Sequence, residues 1–420
     1  MGGIAFLGVS LELGCWSLVI ISFSTYPTMT AIVVLAATRT PLGSFQGALS
    51  SVPASRLGAA AIKGAVAQAG VNPADITDCL MGNVLQAGQG QAPARQAAIY
   101  AGLPHSVRCI TVHKVCGSGL QTVIGASHFL AGGMGTFAVA GGMENMSLAP
   151  YLLPKARAGY RIGHQQVVDS MISDGLWDPY NNIHMGNCAE QCAAKYNFTR
   201  EQQDAYAIES FQRANAAQKD GRFAQEITPV EITDAKGNVT KVELDEGPAK
   251  VRYDKIPSLK PSFQKDGTIT PANASSINDG AAALVLTTAD TAKAKGLKPI
   301  ARLVAFGGHA QDPVWFTTAP VTAAQNALKS AGWSVAEVDL WEVNEAFAVV
   351  PLAFAQELGV PSDKLNVRGG AIALGHPIGC SGARILVTLL AALKERGRKR
   401  GVAAICIGGG EGLAVCVELI

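Results

Sequence analysis

Short apolar runs that suit buried β-strands alternate along the chain with longer alanine-rich stretches that suit helices. In the first third of the chain this pattern predicts strands at residues 31–37, 78–83 and 136–140, and helices at residues 56–68 and directly after Cys116. A second series with the same order starts at Ala301 and continues to the C-terminus. Such alternation is typical of a layered α/β fold.

Landmarks of the second series recur at a nearly constant distance from those of the first. Residues 68–77 (QAGVNPADIT) resemble residues 330–339 (SAGWSVAEVD), and the GSG of residues 117–119 resembles the CSG of residues 380–382. Chance similarity between alanine-rich and glycine-rich segments would not keep the spacing so regular. The chain therefore looks like two copies of one α/β half.

The residues between the two halves are more polar and carry most of the charge clusters. We interpret these residues, 148–271, as an inserted loop domain. The N-terminal half would then consist of residues 29–147 plus 272–297, and the C-terminal half of residues 298–420.

Two features of this loop domain can be read from the sequence. Thr199 and Gln202 have the spacing of a capping box, which predicts a helix that ends near Gly221. Four basic residues gather further along, at Lys250, Arg252, Lys255 and Lys260. Two interpretations of this basic cluster remain: a solvated charged face, or phosphate contacts in a coenzyme site.

Residues 1–28 differ from the rest of the chain. They contain a long apolar run and no Lys or Arg, whereas secretory signals and mitochondrial presequences need basic residues. The length of the run would allow a membrane anchor, but no basic flank is present to orient one. We therefore interpret Met29 as the true start and residues 1–28 as a non-catalytic extension, and we expect no membrane association.

Composition argues against several other classes of protein. The 420 residues are 48% hydrophobic, which is enough for a large core in two or three domains. The 34 basic and 32 acidic residues nearly balance, so the chain lacks the large net positive charge that is typical of nucleic-acid-binding proteins. Nine cysteines without paired spacing indicate a reduced, cytoplasmic protein. Cys188 and Cys192 are four residues apart, but no further cluster completes a site, so no metal is predicted.

The segment VHKVCGSGL, residues 112–120, places Cys116 after an apolar strand and before glycines that open a helix. The N–H groups and the positive dipole end of that helix favour the thiolate, so we expect the pKa of Cys116 to lie below the usual value of about 8.5. The same groups could hold an oxyanion. A buried, inert cysteine is the alternative, although the glycines let a substrate approach the backbone closely.

Three more candidate residues lie in the C-terminal half. His376 sits in the glycine-bounded turn of GGAIALGHPIGCSGAR, where imidazole could act as a base; an ordinary surface histidine is the alternative. Cys406 precedes a glycine run at the end of a predicted strand and could carry a proton. Its rival for that role is Cys380, which we assign to packing. Asn344, in NEAF, could position a water or a carbonyl, or could be a simple turn residue.

Five short segments together carry a resemblance. VCGSG, HMG, NEAF, GHPIG and CIGGG occur in the order and with the spacing found in the thiolases, and the similarity covers nearly all of residues 29–420. Within that family the sequence most resembles the biosynthetic acetyl-CoA acetyltransferases. The resemblance implies the α/β thiolase fold, with duplicated α/β halves in five α-β-α-β-α layers, an inserted loop domain, and assembly as a homotetramer.

The resemblance also implies roles for the candidate residues. Cys116 would carry the acyl group, His376 would activate the Cys116 thiol, and Cys406 would act as acid and base for the second substrate. His376 and a water held by Asn344 would form one oxyanion hole. The backbone N–H groups of Cys116 and Gly408 would form the other. The implied reaction condenses two acetyl-CoA molecules to acetoacetyl-CoA and coenzyme A, reversibly and without a tightly bound cofactor.

Further residues are expected to contact the coenzyme A thioester. Ser275 matches the family serine that touches the pantetheine arm. His184 and Met185 match the pair found in short-chain members, in which the methionine narrows the acyl pocket. Phosphate contacts would come from three basic residues of the loop domain, Lys250, Arg252 and Lys255.

Three residues depart from the family pattern. His113 and Arg368 stand where many members have Asn, which leaves open the shape and charge near the nucleophile loop and the GHP loop. Phe211 stands where a potassium-dependent form has Tyr, so we expect no potassium site. Two alternative functions remain: a degradative 3-ketoacyl-CoA thiolase of broader chain length, and a catalytically inactive carrier-like binding protein.

Overall fold

The structure is a computed structural model in which residues 30–234 and 236–420 are described. Ala31–Ile420 form one unit by their internal contacts. The expectations for residues 1–28 lie outside the described residues. No helix in the described ranges is long and apolar enough to cross a membrane.

The strands of the described residues are β1 (Ile32–Arg39), β2 (Gly43–Ser44), β3 (Ile76–Gly82), β4 (Arg108–Val112), β5 (Phe137–Asn145), β6 (Tyr151–Leu152), β7 (Val168–Asp169), β8 (Trp177–Asp178), β9 (Ile183–His184), β10 (Val230–Thr233), β11 (Val239–Val242), β12 (Asn278–Thr288), β13 (Ala301–Ala310), β14 (Leu340–Val343), β15 (Arg400–Ile407) and β16 (Glu411–Leu419). The α-helices are α1 (Ala54–Ala69), α2 (Pro93–Tyr100), α3 (Ser118–Ala131), α4 (Met185–Tyr196), α5 (Arg200–Lys219), α6 (Ala289–Ala294), α7 (Ala319–Ala331), α8 (Val349–Leu358), α9 (Ala371–Leu374) and α10 (Ile378–Glu395).

Ten strands form one mixed sheet, in the order β14-β15-β16-β13-β1-β12-β5-β3-β4, with β2 paired to β12. In the N-terminal half, β1 is antiparallel to β12, β12 is antiparallel to β5, and β5 is parallel to β3. In the C-terminal half, β13, β16, β15 and β14 repeat these relations in the same order. The halves meet where residues 32–34 of β1 pair with residues 301–303 of β13. This topology confirms the predicted duplication.

Two helices from opposite halves form the central layer. α3 and α10 pack against each other and against strands of both halves, and their buried side chains belong to one hydrophobic core. α10 is buried around almost its whole circumference, as expected for a helix enclosed between two halves of a sheet. α1 and α2 cover the outer face of the N-terminal half, and α7 and α8 cover that of the C-terminal half. These layers confirm the predicted α-β-α-β-α architecture.

Glycines set the distance between α3 and α10. A Cβ at Gly119 of α3 would lie 2.7 Å from the backbone nitrogen of Ala383, and a Cβ at Gly382 of α10 would overlap the backbone of Leu120. Side chains here would force the helices apart, so each helix needs glycine at the contact. These are the glycines of the GSG and CSG landmarks, and their packing role explains why both halves carry them.

The segment between the halves consists of short elements. β6 pairs with β7 and β8 pairs with β9, and these pairs are followed by α4, α5 and the β10–β11 hairpin. α5 follows a complete capping box between Thr199 and Gln202 and ends at Lys219, which confirms the predicted helix.

Buried ion pairs join this segment to both halves. The guanidinium of Arg39 in β1 contacts Glu226 and Asp245, each at 2.7 Å, and all three side chains are buried. From the C-terminal half, Arg368 contacts Glu226 at 3.0 Å and also pairs with Glu395. The positive charge of Arg368, a departure from the family pattern, is therefore balanced within this cluster.

We expect Gly142→Ala in β5 to destabilise the protein. A Cβ at Gly142 would overlap the carbonyl oxygen of Gly379 at the start of α10, and that backbone cannot move without shifting the central layer. The free energy of unfolding, measured by urea denaturation, should fall by about 3 kcal/mol. Gly308→Ala in β13 is the matched control, because the nearest atom to its new Cβ would be 3.6 Å away. Equal losses in the two variants would contradict the packing argument.

Candidate active site

A strained turn presents Cys116 at the start of α3. β4 ends at Val112, and Val115 then adopts a φ of +44°, a conformation that is rare for a β-branched residue. The hydroxyl of Ser118 accepts from the Lys114 N–H (2.8 Å) and donates to the Val115 carbonyl (2.6 Å), which holds the turn closed. Strain of this kind concentrates where function requires a side chain in a fixed position.

Burial dominates the electrostatics of the Cys116 thiol. It raises the pKa of Cys116 to about 12, although the backbone N–H groups of Gly408 and of Cys116 itself act in the opposite direction. The lowered pKa expected from the helix N-terminus is therefore wrong, because burial outweighs these donors. The thiol is protonated at neutral pH and needs a base before it can attack a substrate.

Ser381, in the first turn of α10, orients the ring of His376. The Ser381 hydroxyl donates to the carbonyl of Pro377 (2.9 Å), so its oxygen accepts from Nδ1 of His376 (2.5 Å). This arrangement puts the ring proton on Nδ1 and leaves Nε2 free to accept a proton. The side-chain nitrogen of Asn344 lies 3.4 Å from Nε2.

His376 is held as a neutral base. Burial, together with the positive charge of Arg384, lowers the pKa of His376 to about 3, so the imidazole is uncharged at neutral pH. The backbone N–H of His376 donates to the carbonyl of Ser276 and to the side-chain oxygen of Asn278, each at 3.3 Å. These bonds fix the turn to the segment that enters β12.

Asn344 and Cys406 come from the neighbouring strands β14 and β15. Asn344 directly follows β14, and its backbone N–H donates to Ala404 of β15 at 3.0 Å. Its side-chain oxygen is buried and has no hydrogen-bond partner among the described residues, so it can accept from a water or a ligand. Burial raises the pKa of Cys406 far above its ordinary value, and the nearby Cys116 thiol raises it further.

Cys116, His376 and Gly408 line one cavity of about 230 Å³. A Cβ at Gly408 would lie 3.4 Å from Val115 and 3.7 Å from Met185, so a larger residue would take up space beside the thiol. The rest of the wall is largely apolar and includes Met146, Leu176, Phe316, Phe347 and Ile378.

His184 and Met185 belong to the same cavity wall. His184 caps α4, since its Nδ1 accepts from the Gly186 N–H at 3.0 Å, and its ring stacks on Phe263 with 4.8 Å between centroids. Burial lowers the pKa of His184, which favours the neutral ring. Met185 is almost fully buried and lies next to Gly408, so its side chain bounds the space around the thiol.

A second cavity, of about 400 Å³, shares Ser276 with the first. Ser275 lines the first cavity and donates its hydroxyl hydrogen to the carbonyl of Ala346 at 2.9 Å. The second cavity is lined by the basic residues Lys250, Arg252 and Lys255. Their side chains are 56–70% exposed and each has an acidic neighbour within 4.0 Å. Phosphate contact by these residues stays a prediction.

Other residues singled out from the sequence are not among those that line the cavity, and these include Asn344 and Cys406. Cys380 is buried within α10, as its assignment to packing requires. Cys188 and Cys192 are buried in α4, and within residues 30–234 and 236–420 no group of three or more His, Cys, Asp or Glu side chains could hold a metal. His113 is exposed beside the nucleophile turn.

Ser381 and Glu144 are buried residues near the site that the sequence analysis did not single out. The carboxylate of Glu144 accepts from the backbone N–H groups of Val84 (3.0 Å), Leu85 (3.2 Å) and Gly379 (2.9 Å). It thereby ties the start of α10 to the N-terminal half. Two signals in the sequence could have identified them. Glu144 closely follows a pair of glycines in an apolar segment, and Ser381 lies five residues after His376.

Known protein families and sequences match nearly the whole of residues 32–419. The family models described as thiolase, N-terminal domain, and thiolase, C-terminal domain, match residues 32–290 and 297–419. Acetyl-CoA acetyltransferase 2 of Arabidopsis thaliana is 51% identical over 391 residues, which are 93% of this chain and 97% of that protein.

Solved structures agree with the sequence relatives. The acetyl-CoA acetyltransferase of Bacillus anthracis superimposes with a TM-score of 0.91 at 39% identity, covering 93% of this chain and 99% of that one. A thiolase of Ascaris suum, solved in complex with coenzyme A, gives 0.88 at 42% identity, covering 93% and 100%. The fold, the duplicated halves and these matches lead to one conclusion: the chain belongs to the thiolase family.

Proposed function

We propose that the protein is an acetyl-CoA C-acetyltransferase, which condenses two acetyl-CoA molecules to acetoacetyl-CoA and coenzyme A through an acetyl-Cys116 intermediate. One observation carries the proposal: a protonated thiol, Cys116, and a neutral imidazole, His376, line the same apolar cavity. The names of the relatives and the coenzyme A bound to the Ascaris thiolase support the choice of substrate.

In the first half-reaction, Nε2 of His376 takes the proton of the Cys116 thiol as the sulfur attacks the thioester carbonyl. The backbone N–H groups of Cys116 and Gly408 stabilise the resulting oxyanion, since both already act on the Cys116 sulfur. The coenzyme A thiolate leaves and takes a proton from Cys406. The site then holds acetyl-Cys116, an imidazolium and a Cys406 thiolate.

In the second half-reaction, the Cys406 thiolate removes a proton from the methyl carbon of a second acetyl-CoA. Burial, which raises the pKa of Cys406, makes this thiolate a strong base. The imidazolium of His376 and a water held by Asn344 would stabilise the enolate oxygen. The carbanion attacks acetyl-Cys116, and the released thiolate recovers its proton from His376.

The shape of the cavity supports a short acyl chain. Met185 lies beside Gly408, and Met146, Phe316 and Phe347 close other parts of the wall. A longer acyl chain would need the space that these side chains fill. This favours acetyl transfer over the alternative of a degradative 3-ketoacyl-CoA thiolase.

The coenzyme would enter as a substrate, with no tightly bound cofactor. Its pantetheine arm would pass Ser275, and its phosphates would lie near Lys250, Arg252 and Lys255 at the exposed second cavity. The absence of any disulfide among the eight described cysteines supports a cytoplasmic location. A homotetramer is supported by exposed apolar side chains around the β6–β7 hairpin, at Leu148, Tyr151, Leu153, Ile162 and Val167.

Brief exposure to acetyl-CoA should acetylate Cys116. Mass spectrometry of the tryptic digest should place the acetyl group on the peptide of residues 115–155, and Cys116→Ala should abolish it. Cys188→Ala, which changes a buried cysteine outside the cavity, is the control and should keep full labelling. Turnover without label on this peptide would rule out the proposed intermediate.

Ser381→Ala should slow the acylation of Cys116. Without the hydroxyl, Nδ1 of His376 loses its acceptor and the ring can adopt the tautomer with a proton on Nε2. We expect the single-turnover rate to fall about 10-fold to 100-fold. Ser127→Ala is the matched control, because Ser127 is also buried in a helix and its hydroxyl donates only to Val123. Similar rates for the two variants would contradict the positioning role.

Met185→Ala should broaden chain-length selection. Removing the side chain opens space for about two to three methylene groups beside Gly408, each worth about 0.8 kcal/mol when buried. In thiolysis assays, the kcat/KM ratio of 3-ketohexanoyl-CoA to acetoacetyl-CoA should rise about tenfold or more. Met81→Ala, which removes a buried methionine from the cluster on the outer face of the N-terminal half, should leave the ratio unchanged. Comparable rates on short and long chains in the unmodified protein would favour the degradative alternative.

A further inference from the structure

Cys79 and Cys109 face each other at the edge of the sheet, outside the cavity of Cys116. They are directly paired residues of the parallel strands β3 and β4. Neighbouring strands lie about 4.8 Å apart, and this separation is within the Cα distance range that a disulfide needs. Directly paired residues of neighbouring strands carry their side chains on the same face of the sheet, and both cysteines belong to the same hydrophobic cluster.

The two thiols differ in exposure and in charge. Cys79 is buried, whereas Cys109 is half-buried on β4, the edge strand. The neighbouring Cys79 thiol lowers the pKa of Cys109, and the guanidinium of Arg95 lowers it further against the effect of burial. The same pairing, together with burial, raises the pKa of Cys79. Cys109 is therefore suited to attack an oxidant, and Cys79 to resolve the product.

We propose that Cys79 and Cys109 form a dithiol that peroxides oxidise reversibly to a disulfide, a modification site separate from the cavity of Cys116. The Cys109 thiolate attacks a peroxide oxygen, the O–O bond breaks, and Cys109 becomes a sulfenic acid while hydroxide leaves and is protonated to water. The Cys79 sulfur then attacks the sulfenic sulfur, a second water leaves, and the S–S bond forms. Overall, two thiols lose two hydrogens and one hydrogen peroxide is reduced to two waters.

The lowered pKa of Cys109 makes this pair the most reactive toward peroxide. Thiolates react with peroxides and thiols do so poorly, so the thiol with the lowest pKa reacts first. Among the cysteines in the described ranges, Cys109 alone has a lowered pKa, whereas burial raises that of Cys116 to about 12. The nucleophile of the proposed reaction should therefore survive a peroxide exposure that oxidises Cys109.

Peptide mapping of the full chain tests the proposal directly. The protein is treated with one or two equivalents of hydrogen peroxide, unfolded and blocked with iodoacetamide, and digested with trypsin without reductant. Cys79 lies in the peptide of residues 64–95, Cys109 in residues 109–114 and Cys116 in residues 115–155, so each thiol is read separately. We expect peptides 64–95 and 109–114 to be linked, to separate with dithiothreitol, and the Cys116 peptide to remain alkylated.

Variants and a second reagent complete the test. Cys109→Ser should reduce the linked peptide at least tenfold, and Cys416→Ser, which removes a buried cysteine of β16, should not change it. Phenylarsine oxide, which bridges two neighbouring thiols, should add to the unmodified protein and not to Cys109→Ser. Oxidation of the Cys116 peptide before that of Cys109, or sulfinic acid at Cys109 without linkage, would overturn the proposal.

Discussion

The backbone contact between α3 and α10 sets the geometry on which the candidate site depends. α3 begins directly after the turn of Cys116, and α10 begins directly after the turn of His376. Because Gly119 and Gly382 let the two helices touch backbone to backbone, the two turns are held together by the most deeply buried layer of the molecule. Groups placed on such rigid elements keep their separation during a reaction better than groups on loops. The duplicated fold thus joins two reactive side chains from opposite halves of the chain.

Burial keeps both reacting groups neutral until a substrate arrives. It raises the pKa of Cys116 to about 12 and, with the charge of Arg384, lowers that of His376 to about 3. Proton transfer between them alone would create two buried charges, which is costly in an apolar cavity. A bound thioester changes this balance, because its carbonyl oxygen accepts the negative charge in front of backbone N–H groups. The site is therefore arranged so that charge separation accompanies the attack on the substrate.

Local patterns predicted the elements well, whereas contacts between distant residues could not be read from them. The capping box of Thr199 and the strands of the first half are confirmed. β5 is longer than predicted and continues to Asn145, since the glycines after residue 140 look like a loop in the sequence. The pKa of Cys116 was predicted in the wrong direction, since the helix end is visible in the sequence and the burial around it is not. The hydrogen bond from His376 to Ser381 and the ion pair of Arg368 with Glu226 also depend on the folded structure and could not be predicted from the sequence.

In both halves an asparagine follows the equivalent strand, but its side chain makes different contacts in each half. Asn83 follows β3 and Asn344 follows β14, and these strands hold equivalent places in the duplicated sheet. The side-chain nitrogen of Asn83 donates to the carboxylate of Glu144 at 2.8 Å, and that carboxylate also binds three backbone N–H groups. The corresponding nitrogen of Asn344 faces the imidazole of His376, which can take up and release a proton. One half therefore uses the position to tie the Glu144 carboxylate to the backbone around it, and the other places the same residue beside the imidazole of the proposed proton transfer.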